Sequence, residues 1–117
     1  MEPYQKIYKE FFASFNKQPV SGAEAGELVV KLADYYSEYN LKLIEAMRKF
    51  NQIKKACSEQ TDGNDKMVSV AKAEMMADAT PEAAAFELAR AHVQNLDQMI
   101  SAVKSLQKGL INEYVRT

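Results

Sequence analysis

Tryptophan is absent from this chain, and cysteine and histidine occur once each. Each scarcity closes off a chemistry. The lone Cys57 has no second cysteine to join, so no internal disulfide holds the fold, and a single thiol suits a reducing cytoplasm. It also lacks a histidine or carboxylate at a helical step that would make it a nucleophile, which leaves a small buried apolar residue. His92 has no partner at HExxH or ExxH spacing, so neither a zinc nor a di-iron helical site is written here, and the expected role is packing or hydrogen bonding at the edge of a seam. Glycine and proline are sparse, at four and three residues, and the few breaks favour helix. Gly22, Gly26, Gly63 and Gly109 make no phosphate-binding fingerprint.

Net charge is missing too: 15 basic side chains stand against 16 acidic ones, a balance of −1. No global excess of positive charge draws the chain to nucleic acid or to an anionic membrane, so any such binding needs a local patch. Nowhere do about 18 apolar residues run together as a membrane span requires. The N-terminus MEPYQKIYKEFF scatters charges where a signal peptide would be apolar. The expectation is a cytoplasmic protein with no membrane partner. Asp62, Asn64 and Asp65 hint at a calcium loop, but the order of ligands and glycine is wrong and the twelfth position from Asp62 is Ala73. No cofactor, no metal ligand set and no catalytic residues are expected, and the chain is not read as an enzyme.

What is present is helical periodicity. At 117 residues the chain suits one helical domain, 1–117, with a core modest enough that a partner subunit would add much to stability. Tyr4, Ile7, Tyr8, Phe11, Phe12 and Phe15 share one side of a helix over 3–16, with Pro3 in its first turn. Ser21 with Glu24 is a capping box that opens a long helix over 21–60. Its apolar stripe runs Leu28, Leu32, Tyr35, Tyr39, Leu43, Ala46, Phe50, Ile53, Cys57. A turn over 61–65 follows, signalled by Thr-Asp-Gly-Asn-Asp. A short helix is expected over about 69–78, although Lys66-Met-Val-Ser-Val could also be extended. Thr80-Pro81-Glu82 then starts a second long helix over 81–115, with Thr as N-cap, Pro at the first position and an acid at the positive end of the dipole. Its seam is Ala85, Ala89, His92, Leu96, Met99, Val103, Leu106, Leu110, flanked at seven-residue intervals by Phe86, Val93, Ile100 and Tyr114, an interval that Gln107 interrupts.

A helix of that length extends about 60 Å, whereas a compact globule of this size has a radius of gyration of roughly 13 Å. The expected fold class is therefore all-α: a long antiparallel helical hairpin, with a short N-terminal aromatic helix and a short helix in the connector. Folding back would bring Lys54 and Lys55 near Glu82 and Glu87, and Asp34 and Glu38 near Lys104 and Lys108. Such exposed pairs contribute about 0 to 1 kcal/mol each and bear on register more than on stability. Tyr36, Met47, Phe86, Val93 and Ile100 widen the apolar stripes beyond one seam and are candidates for an oligomer interface. Dimerisation into a four-helix bundle would cover them.

The one local basic stripe is Lys42, Arg48, Lys49, Lys54 and Lys55 against Glu45 alone. It could contact a partner or a phosphate backbone, yet Tyr39 and Phe50 lie on the apolar seam rather than among the cations, as a stacking platform requires. The competing reading is a solvated face that pairs with acids.

The run from Ser69 to Asn112, with S-x-A-K-A-E, A-D-A-T-P-E-A and A-V-K-S-L-Q-K-G-L, and the preceding A-D-Y-Y-S-E-Y of Ala33 to Tyr39, resembles small all-helical accessory proteins of bacteriophages and prophages. The likeness spans a little under half of the chain. It implies an accessory protein acting in the cytoplasm of an infected bacterium, and it carries no functional residues over. The functional expectation is a non-enzymatic, self-associating protein-interaction or assembly module, with a protein as the expected partner. The alternative is a nucleic-acid-associated factor that uses Lys42 to Lys55.

Overall fold

A computed structural model describes the backbone of residues 1–61 and 66–116, and side chains as far as Ile111. The expected turn at Asp62-Gly63-Asn64-Asp65, with the rejected calcium ligands, lies outside the described residues, as does the side chain of Tyr114. Among the described residues the fold is all-α, with helices α1 (Pro3–Lys17), α2 (Gly22–Ser58), α3 (Val70–Asp78) and α4 (Pro81–Arg116).

Local chemistry sets the helix ends. Pro3 occupies the first turn of α1, and the Gln5 side-chain oxygen accepts the Glu2 backbone N–H at 2.9 Å. Ser21 Oγ accepts the Glu24 N–H at 3.1 Å, which makes Ser21 the cap of α2 rather than its first residue. The other end of α2 closes at Ser58, short of Gln60. There the Ser58 hydroxyl donates to Lys55 O at 2.7 Å and the Gln60 N–H turns back to Cys57 O. Thr61 and Met67 then form an isolated antiparallel bridge, so the chain ahead of Ser69 is not helical. Ser69 caps α3 by accepting the Lys72 N–H at 3.2 Å. Thr80 serves both neighbours: its Oγ1 donates to Ala77 O at 2.6 Å and accepts the Ala83 N–H at 3.3 Å.

The chain divides into two compact units, Met1–Glu38 with Val93–Thr117, and Tyr39–His92. In the first, α1 packs with the N-terminal half of α2 and the C-terminal half of α4. Tyr4, Val20, Ala25, Leu28, Leu32, Leu96 and Val103 are its buried apolar residues. Val20 and Ala25 hold the positions of a hydrophobic staple around the Ser21 cap. α2 and α4 are antiparallel here, because Gln107 Nε2 donates to Gly22 O at 3.3 Å. That bond accounts for the glutamine that interrupts the apolar flank of α4. A Cβ at Gly26 would lie 2.8 Å from Gln107 Nε2, so the glycine leaves room for this side chain to reach across.

In the second unit α2 and α4 are again antiparallel, with Tyr39 against His92 (ring centroids 5.2 Å apart) and Phe50 stacked on Phe86 (5.6 Å). The core is Phe50, Cys57, Ala73, Ala77 and Ala83, with Ile53, Val68, Met76 and Phe86 packed on it. Along α2 the expected stripe is the inward one: Leu28, Leu32, Tyr39, Phe50 and Cys57 are buried. The start of α4 differs. Ala83 is buried and the expected seam residue Ala85 is exposed, because α3 adds Ala73 and Ala77 beside α2 and turns the inner face of α4 toward Ala83 and Phe86.

Candidate interaction surface

The basic stripe of α2 is tied up on its own helix. Arg48 and Lys49 share Glu45, the second at 3.9 Å, while Lys42 Nζ and Lys54 Nζ each sit 4.6 Å above the ring of Tyr39 and of Phe50. Lys55 and Lys54 line a groove with Ser58, Val70, Ala73 and Glu74. Tyr39 and Phe50 are buried, so no aromatic lies free among these cations for a base to stack on. The pairs at Glu45 are exposed, 48% at the acid and more at each cation, and contribute about 0 to 1 kcal/mol.

Two of the side chains expected to match charges between the helices have contacts on their own helix. Lys54 lies on Phe50, and Glu87 pairs with Arg90 of its own helix at 3.7 Å. Glu82 lines a groove with Lys42 and Lys49, and Asp34 and Glu38 line another with Ile7 and Lys31. Side chains three or four residues apart on one helix meet without ordering a second element, so local pairs form first.

The candidate interface residues part company. Phe86 stacks on Phe50 and belongs to the chain's own core, which corrects its place on an outer flank. Tyr36, Val93 and Ile100 are half-buried in the first unit, and Met47 is exposed in the second. His92 packs on Tyr39, as expected for a histidine at a seam edge.

The surface that stands out takes in Met47, Lys42 and Lys49 from those candidates and adds Leu41, Ile44 and Leu88, which were not among them. From residue 40 to 49 on α2 and from 84 to 92 on α4 no side chain is buried. Yet this stretch carries Leu41 at 68% exposure and Leu88 at 61%, with Ile44 and Met47 also exposed. A groove of about 380 Å³ runs along it, lined by Leu41, Lys42, Glu45, Ala46 and Lys49 of α2 and by Glu82 and Ala85 of α4. The sequence held one signal for it: Leu41 and Ile44 are spaced by three on a helix face otherwise built of Glu38, Glu45 and Arg48.

Among the described residues no group of three His, Cys, Asp or Glu side chains could hold a metal ion, and no helix is long and apolar enough to cross a membrane. The acidity of Tyr4 is shifted. Burial pushes its hydroxyl above 10.0, the hydrogen bond with Asn95 works against that, and the nearby Glu2 charge adds to it.

The class defined by these features is an all-α protein whose two long helices form an antiparallel hairpin. No protein-family model, curated protein or solved structure matches the chain.

Proposed function

We propose that this protein is a non-enzymatic helical association module, which joins a second copy of itself and, as a dimer, engages another protein. The observation that carries this reading is the set of exposed apolar side chains on α2 and α4 in the second unit, Leu41, Ile44, Met47 and Leu88, which face water from within long helices. Several large exposed apolar side chains on one unit, beside a groove with charged walls, suit a protein contact. The absence of any nucleophile, base or metal-ligand set from the sequence supports a binding role over a catalytic one. The likeness to phage and prophage accessory proteins supports an accessory role inside an infected bacterium.

The alternative, a nucleic-acid-associated factor, draws no support from the basic stripe, whose Arg48 and Lys49 share Glu45 and whose aromatics are buried. Light scattering on the eluting protein over a range of concentrations tests the self-association. The expected mass is twice that of the 13.2 kDa chain. A monomer at every concentration would overturn it.

A further inference from the structure

We infer that the second copy docks on the groove face of the second unit, α2 of each chain over α4 of the other, about a two-fold axis that runs along the helices. The inference rests on the association reading above and names the surface and its register. On this face Leu41, Lys42, Glu45 and Lys49 project from α2, and Glu82 and Ala85 from α4. Leu88, three residues past Ala85, extends the same side of α4 and is exposed.

The charge on the groove selects the occupant. Its walls carry Lys42 and Lys49 and also Glu45 and Glu82. A polyanion would face the two glutamates, and a uniformly basic partner would face the two lysines. A surface that balances its own charges suits a copy of itself, and a two-fold contact uses one patch twice.

The antiparallel order of the helices then sets the register. Rotation about an axis parallel to the helices leaves every residue at its own height and exchanges α2 with α4. Lys49 and Glu82 line one groove on opposite helices, so Lys49 of each copy comes over Glu82 of the other. Tyr39 lies against His92, so Leu41 is level with the turn that ends at His92, and it comes over Leu88 of the second copy. Leu41 thereby meets Leu88 and Lys49 meets Glu82. The ion pairs sit on the rim and decide register, while the leucines supply the burial.

The test begins from chains in which Cys57→Ser removes the native thiol. Leu41→Cys chains mixed with Leu88→Cys chains should form a disulfide-linked dimer under mild oxidation, and Leu41→Cys chains alone should link far less. Equal linking by Leu41→Cys alone would overturn the axis. In native chains, Leu41→Asp with Leu88→Asp should weaken dimerisation on the order of tenfold or more, read by light scattering. Helicity by circular dichroism should be unchanged, because both side chains are exposed. Lys49→Glu should weaken the dimer, and adding Glu82→Lys to the same chain should restore it. A wild-type dimer that survives Leu41→Asp with Leu88→Asp overturns this face and leaves self-association standing; a wild-type monomer overturns both.

Discussion

The first unit buries Tyr4, Leu32, Leu96 and Val103 completely, whereas among the described residues the second buries Tyr39, Phe50, Cys57 and three alanines, none of its large side chains completely. The exposed apolar residues divide the other way. Among the described residues, Leu41, Ile44, Met47, Met67, Val70, Met75 and Leu88 belong to the second unit, and Met1, Val30 and Ile111 to the first. The third helix of each unit makes the difference. α1 sends a whole tyrosine inward, with its ring 6.4 Å from that of Tyr35, and so completes a core of large side chains. α3 approaches through Ala73 and Ala77, which bring backbone close but bury little area, while its Val70 and Met75 face out. Among the described residues the first unit buries more of its large apolar side chains, and the second leaves more of them exposed.

Leu32→Ala should have the largest effect on that contrast. Leu32 is fully buried, and truncation should cost about 2 to 5 kcal/mol, read from the urea midpoint. A loss below about 1 kcal/mol would show that the first unit is no better packed than the second.

Ala77→Leu comes next. Ala77 is 1% exposed between α3 and the Phe50 cluster, so added bulk should cost about 1 to 3 kcal/mol by overpacking. Unchanged stability would mean that the alanines of α3 do not set the spacing of the second unit.

The smallest effect concerns Tyr4 and pH. Its pKa is raised in the folded state, chiefly by burial, so the folded protein holds this proton more tightly than the unfolded chain does. The associated stability is fully present below the ordinary value of 10.0 and is lost as pH rises through the higher folded value. Tyr4→Phe should remove the part of the alkaline destabilisation that begins near pH 10 and, through the lost bond with Asn95, cost about 1 kcal/mol at neutral pH. Identical alkaline melting curves for the two proteins would show that Tyr4 does not titrate with unfolding.

Much of the fold was legible because its signals are local. Ser21, Ser69 and Thr80 cap the helices that follow them, and the stripe from Leu28 to Cys57 faces inward along α2. The candidate surface was less legible. Phe86 lay on a flank in the heptad pattern and yet stacks on Phe50, and Leu41 and Leu88 lay off every seam and yet are the most exposed leucines of the hairpin. Periodicity tells which residues share a face of one helix, but it is silent about which third element arrives beside it.

Taken alone, the order of residues determined the all-α class, the helix starts and the inward side of α2. Caps and apolar spacing act within a few residues, and no distant contact is needed to read them. Only the tertiary structure decided that α3 turns the inner face of α4 from Ala85 to Ala83, that Arg48 and Lys49 pair with Glu45 along their own helix, and that Leu41, Ile44, Met47 and Leu88 stay exposed. Burial is a property of what packs from elsewhere in the chain, and that depends on contacts far apart in sequence.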